Sequence, residues 1–197
     1  MSDDVTFWFD PICPFTWRTS RWVREVTQKR NLVVGWQLLS LATLNAGKDV
    51  PERHRDMFTR GWRASRLLIA AGRQFGDEAV DRLYTEIGIR THDNGRELDT
   101  QVLEESLEAA GLPADLIASA DDAALDQAIT DSHAEGQARV GTESGSPILA
   151  IGDGPGFFGP VVVPVPEGES AEKLFDAVRL LSAVPEFSEL KRSRNSF

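Results

Sequence analysis

Only one cysteine, Cys13, stands in a chain of 197 residues. An intrachain disulfide is therefore impossible, and a cysteine-built structural zinc site cannot form. Histidine is scarce too. His54, His92 and His133 show no ligand spacing, so no metal is expected. Cations are in deficit: Lys plus Arg is 21 against 31 for Asp plus Glu, a net charge of −10. A nucleic-acid-binding chain has the opposite balance, so no nucleic-acid partner is expected. Long apolar runs are also missing. Leu67–Ala71 and Val161–Val163 fall far short of the ~20 residues that span a bilayer, so no membrane partner is expected. The start, Met1-Ser2-Asp3-Asp4, is acidic and lacks a basic segment leading into an apolar one. A cytoplasmic chain without a secretory signal is the expectation.

What is present is ordinary globular composition, 41% hydrophobic and 26% charged. The length suits one domain that buries a core without staples. Val5 to Phe9 (VTFWF) reads as a short buried strand, broken by Asp10-Pro11. Pro14 suits the first turn of a helix, and Phe15, Thr19, Trp22, Val23 and Val26 share one face downstream. That predicts a helix from about Pro14 to Lys29, ended by Asn31. Leu32 to Leu39 reads as a second strand. From Pro51 to about Ile89 apolar residues recur at helical spacing. Asp99-Thr100 is an N-cap region for a helix through Leu107, stopped by Gly111 and Pro113. Another helix runs from about Ala123 to Arg139, ended by Gly141. Pro147–Ile151 and Gly156–Phe158 flank a Gly152–Pro155 turn and predict a hairpin. Ser170 is read as the cap of a last helix through Leu174, Val178 and Leu181. Lys191–Phe197 reads as a frayed tail.

The order is β-α-β, a helical block, then β-β-α. That predicts an α/β chain of thioredoxin-like fold with a large all-helical insertion. The thioredoxin-like parts are about 1–45 and 141–197, and the insertion is about 46–140.

The strongest chemical signal is Cys13-Pro14-Phe15-Thr16 at the junction of strand and helix. Unpaired N–H groups and the macrodipole there stabilise a thiolate. Cysteines so placed can have pKa values of roughly 3.5 to 7.5, against about 8.5 unperturbed. Thr16 lies one turn on along the same face, where its hydroxyl could donate to the sulfur. Arg18 and Arg21 add cationic field. The competing reading is a buried, inert cysteine. Gly145-Ser146-Pro147 is a turn on its own terms. In a thioredoxin-like layout it is the loop whose cis-proline faces the cysteine, with backbone groups offered to a substrate by the residue before it.

These segments resemble the DsbA-like branch of the thioredoxin superfamily, and within it the actinobacterial mycothiol-dependent nitroreductases. The resemblance rests on FWFDPICPFTWRTSRW (Phe7 to Trp22), LLSLATLN (Leu38 to Asn45), GSPIL (Gly145 to Leu149), FFGP (Phe157 to Pro160) and ELKRSR (Glu189 to Arg194). It implies that Cys13 is the nucleophile, that Pro147 is the cis-proline, and that a low-molecular-weight thiol such as mycothiol is held near both as co-substrate. Asn45, His54 and the insert helices would line the cleft. The family pattern commonly reads Cys-Pro-Trp-Cys. Here Phe15 and Thr16 stand at its last two positions, which removes the resolving thiol. A redox cycle then runs through Cys13 alone with an external thiol as resolver. Whether the nitroreductase activity survives the altered motif is left open.

The sequence therefore points to a cytoplasmic monothiol oxidoreductase. Cys13 and Thr16 are the catalytic candidates. Pro14, Phe15, Trp17, Asn45, His54, Ser146 and Pro147 are the candidates for binding thiol and disulfide or small electrophilic substrate. His54 is also the candidate base. A kappa-class-glutathione-transferase-like or isomerase-like enzyme that activates a bound thiol is the first alternative, and a non-catalytic binder with a relic site the second. A homodimer is left open. Gly154-Pro155-Gly156-Phe157-Phe158-Gly159 matches GxGxxG but leads into PVVVPVP rather than a helix, so no nucleotide is expected. Arg53, Arg55, Arg60, Arg63, Arg66 and Arg73 read as a solvated face balanced by the acidic remainder. The five tryptophans read as core or cleft wall, and His92 and His133 as surface or capping residues.

Overall fold

The computed structural model describes residues 4–142, 144–191 and 193. Strand β1 is Val5–Phe9, helix α1 is Pro14–Arg30 and strand β2 is Val34–Leu38. A short helix α2 (Leu41–Leu44) follows, then α3 (Glu52–Phe75) and α4 (Asp77–Gly88). A π-helical turn at Ile89–Asp93 leads to α5 (Thr100–Ala109), and two 3-10 turns, Ala114–Asp121 and Ala123–Leu125, lead to α6 (Asp126–Val140). Strands β3 (Ile148–Ile151) and β4 (Gly156–Phe158) precede α7 (Gly168–Ser182).

The sheet order is β2-β1-β3-β4. Strand β1 pairs with β2 in parallel and with β3 antiparallel, Phe7 opposite both Trp36 and Leu149. The alternation of a strand sends Phe7 and Phe9 to one face and Trp8 to the other. Val5, Phe7, Phe9, Trp36, Leu149 and Ile151 join α1, α4 and α7 in the main core. Trp8, Ile148 and Ala150 form a smaller cluster with Leu39. Gly136 of α6 brings its backbone onto Trp8 there; a Cβ at that glycine would sit 2.9 Å from the indole. Both faces are covered, which is why Phe7, Trp8 and Phe9 are apolar in succession.

Several boundaries differ from the sequence reading. Strand β2 starts at Val34, not Leu32, because the turn after α1 takes more chain. Asn31 is left-handed (φ 54°), and the Leu32 N–H returns to the Thr27 carbonyl at 2.9 Å. The stretch of helical spacing from Pro51 to about Ile89 is two helices, broken at Gly76 with φ 81°. The helix expected from Ala123 begins as a 3-10 turn and becomes α-helical at Asp126. Helix α7 begins at Gly168 with Glu167 as its cap residue, not at Ser170. Its first N–H is taken by Glu25 Oε1 of α1 at 2.8 Å, a partner no local pattern reveals. The GxGxxG match spans the β3–β4 turn and β4, with no helix opening after it. Most of the expected frayed tail (192 and 194–197) lies outside the described residues.

Three of the α3 arginines pair with acids from the rest of the insertion. Arg63 pairs with Asp121 at 2.7 Å, Arg66 with Asp126 at 2.6 Å and Arg60 with Glu97 at 3.1 Å. Among the described residues no helix is long and apolar enough to cross a membrane, and no group of three or more His, Cys, Asp or Glu gathers as a metal site.

Candidate functional site

Cys13 is the cap residue of α1. Its backbone is extended (φ −87°, ψ 112°), and Pro14 occupies the first turn, where a missing N–H leaves no bond unmade. Pro14 is exposed, Phe15 half-buried, Cys13 only 6% exposed and Thr16 fully buried. The loop before β3 faces this turn. The Ser146–Pro147 peptide bond is cis, and the Ser146 carbonyl accepts the Cys13 thiol at 3.7 Å. The two hydroxyl oxygens of Thr16 and Ser146 lie 2.6 Å apart.

Burial pushes the Cys13 thiol above its ordinary value. The Thr16 hydroxyl, and the Thr16 and Phe15 N–H groups at the helix end, pull it down, while the nearby Asp10 charge adds to the rise. Burial wins, which corrects the expectation of a low-pKa thiolate drawn from the helix end alone. At rest the sulfur is a thiol donating to a carbonyl.

Asp10 is the residue that the sequence reading passed over. It is 3% exposed. Oδ1 accepts the Ile12 N–H at 2.9 Å and Oδ2 accepts the Leu41 N–H at 2.6 Å. Its own N–H donates to Ser146 Oγ at 3.2 Å. Loss of solvent raises its carboxyl to about 6 against the two N–H bonds that lower it. The signal was present: Asp before Pro, with a free N–H two residues on, is an Asx-turn pattern.

Trp17 is core. Its Nε1–H donates to Asp93 Oδ1 at 2.8 Å, and its ring meets Tyr84 edge-on at 5.7 Å. Gly88 permits this packing, since a Cβ there would lie 2.2 Å from the indole. Arg21, expected to add field at the sulfur, instead lays its guanidinium 3.9 Å over the Trp17 ring and bonds Ser20 and Thr85. Burial lowers it to about 10.

The histidines sit differently from the sequence expectation. His92, expected at the surface or as a cap, stacks on Trp17 at 6.0 Å, and its Nε2–H donates to the Pro11 carbonyl at 2.8 Å. Burial holds it below the usual imidazole value. It lines a cavity of about 220 Å³ together with Pro11, Ile12, Met57 and Arg60. His54 is not a lining residue of that cavity; its ring neighbour is Phe58, at 6.3 Å. His133 is 8% exposed and its Nδ1 accepts the Ser40 N–H at 3.2 Å. Asn45 caps the end of α2 and donates from Nδ2 to the Leu41 carbonyl at 2.8 Å. Leu44 of the same helix lies beside Gly145, so α2 borders the cis-proline loop. The structure thus brings Cys13, Thr16 and Ser146 together at Pro147, while Trp17 packs against Tyr84, His92 and Arg21.

Solved structures share this architecture at low identity. The chain is similar to the probable DsbA oxidoreductase SCO1869 from Streptomyces coelicolor, with TM-score 0.60 and 17% identity over 96% of this chain and 93% of that one. It is similar to the cytosolic disulfide reductase DsbM from Pseudomonas aeruginosa, with TM-score 0.62 and 17% identity over 90% and 99% of the two chains. These likenesses show the fold. A relative in sequence is the uncharacterized protein Rv2286c of Mycobacterium tuberculosis (strain H37Rv), 35% identical over 97% of this chain and 82% of that protein. The family of the mycothiol-dependent nitroreductase Rv2466c matches residues 12–192. That match begins at the Cys13 turn and runs through the cis-proline loop to the end of the described chain, so the chain belongs to the Rv2466c-like family and is a thiol-dependent oxidoreductase.

Proposed function

We propose that Cys13 is the covalent nucleophile of a single-cysteine redox cycle in the cytoplasm, with mycothiol as the low-molecular-weight thiol that resolves it. The reading rests on one observation above all: the only thiol of the chain sits at a helix N-terminus, 3.7 Å from the carbonyl that precedes a cis-proline. The mycothiol-dependent family supports the choice of thiol.

The cycle is an exchange of sulfur–sulfur bonds. The Cys13 thiolate attacks one sulfur of a disulfide RSSR′. The old bond breaks, R′S⁻ leaves and takes a proton, and Cys13 is held as the mixed disulfide with RS. A mycothiol thiolate then attacks the RS sulfur and returns the Cys13 thiolate. The products are R′SH and the R–mycothiol disulfide, so one thiol is consumed and one released. Reduction of a small electrophile by two electrons consumes two mycothiol thiols, which leave as their disulfide. Thr16 supplies a donor to the sulfur where a resolving cysteine would otherwise attack it. Ser146 and Pro147 present backbone to the substrate, and Pro14 and Phe15 form the rim. The cavity beside Pro11, Ile12 and His92 suits the body of the thiol.

Turnover with mycothiol as sole reductant tests this reading. Cys13→Ser is expected to lower kcat/KM by more than about a thousandfold. Retention of most turnover in that variant would favour the transferase-like alternative, in which a bound thiol is activated without a protein nucleophile. Absence of turnover in the wild type with every thiol offered would favour a binding role.

A further inference from the structure

The cavity beside the Cys13 turn has two kinds of wall. Ile12, Met57 and Leu98 give it apolar surface, against which a ring can lay its carbon face. The rest is polar: Arg60 of α3, Thr91 and His92 of the π-helical turn, and Arg96 and Glu97 after it. The volume of about 220 Å³ equals roughly seven waters at ~30 Å³ each, room for one six-membered ring with its hydroxyls.

The protons and charges of the polar wall are already spent. Thr91 donates its hydroxyl proton to the Ile87 carbonyl at 2.8 Å, and the His92 Nε2–H goes to the Pro11 carbonyl. What remains on both is acceptor capacity: the lone pairs of Thr91 Oγ1, and Nδ1 of an imidazole that burial holds below its usual value. Both guanidinium groups are neutralised. Arg60 meets Glu97 Oε1 at 3.1 Å, and Arg96 holds both carboxylate oxygens of Glu105. No arginine of the cavity is left over for a carboxylate or phosphate on a ligand. A neutral ring with several hydroxyl donors satisfies the acceptors that remain.

We propose that the cavity is a subsite for a neutral, hydroxyl-bearing ring, and that the Arg60–Glu97 pair sets its selectivity. Glu97 is itself a lining residue, and it cancels an arginine that would otherwise draw a carboxylate-bearing thiol such as glutathione. Discrimination then comes from a charge withheld from the wrong ligand as much as from contacts to the right one. The inference deepens the proposed function and rests on the cavity serving the thiol. The family match points to mycothiol, and the acceptor wall gives that choice a chemical ground.

S-methyl mycothiol and S-methylglutathione carry no free thiol, so calorimetry reads their binding with Cys13 idle. The wild type is expected to bind the mycothiol analogue about tenfold more tightly, or better. Glu97→Gln keeps the side-chain shape and leaves Arg60 unneutralised. It is expected to strengthen S-methylglutathione binding about fivefold at low ionic strength, a gain that fades at about 1 M salt. Arg60→Gln leaves the Glu97 carboxylate uncancelled and is expected to weaken binding of the same ligand. A gain and a loss from the two halves of one pair cannot both come from misfolding. Thr91→Val removes an acceptor and is expected to lower the affinity for S-methyl mycothiol about fivefold. No preference in the wild type, no gain for S-methylglutathione in Glu97→Gln, or wild-type affinity in Thr91→Val would overturn the inference. The Cys13 adduct is read separately: a protein that shows the preference yet forms no adduct with mycothiol disulfide keeps the subsite and loses the redox cycle.

Discussion

The carboxylate of Asp10 accepts the Leu41 N–H at 2.6 Å, joining the end of β1 to the start of α2. The bond is buried. It fixes the strand end from which the Cys13 turn departs, and it sets beside the sulfur a carboxyl raised to about 6. An unfolded chain returns that carboxyl to about 3.9. The folded state therefore binds the Asp10 proton more tightly than the unfolded state does.

The sign of the pH effect follows from linkage. Asp10 weighs least on stability below about pH 4, where both states carry the proton, and its cost grows as pH rises through about 6. Relative to Asp10→Asn, the wild type is expected to lose about 2 kcal/mol between pH 4 and pH 7. Urea unfolding of both proteins across that range measures it. Parallel stability profiles would show that the carboxyl is not raised.

Thr16→Cys restores a pair of thiols at the helix start. Residues three apart at a helix start have Cα atoms about 5 Å from each other, within the Cα separation that a disulfide spans. Mild oxidation is expected to remove both thiols from titration and to lower the intact mass by two hydrogens, the change that marks an internal bond. Two thiols still free after oxidation would contradict the geometry of the turn.

The contact of Gly88 with Trp17 gives a third prediction. A Cβ at position 88 would lie 2.2 Å from the ring, which is fixed on its other sides by Asp93, Tyr84 and Arg21. Gly88→Ala is expected to cost about 1–3 kcal/mol and to lower Tm. A Tm equal to wild type would mean that Trp17 is free to move aside.

The central strand and the helix after it could be read directly from the chain. VTFWF carries apolar residues on both of its faces because both sheet faces are covered, and Pro14 fixes the start of α1 at the residue after Cys13. The proximity of Cys13 to Ser146 was legible only through resemblance, since no local pattern connects residues so far apart. What escaped depends on partners from elsewhere. The start of α7 is held by Glu25, so Ser170 looked the better cap. The burial of His92 depends on the π-helical turn after α4 carrying it onto Trp17. The resting state of the sulfur escaped for a related reason: helix position is written in the sequence, whereas the desolvation that outweighs it comes from the packed fold.

The account stands on a covalent bond at Cys13. Its most direct test is the intact mass of the folded protein after exposure to mycothiol disulfide, with Cys13→Ser alongside. The expected result is one mycothiol adduct on the wild type, removed by excess mycothiol, and none on the variant. A wild type that gains no adduct while folded, yet is modified at Cys13 once unfolded, would show a buried structural cysteine and contradict the account.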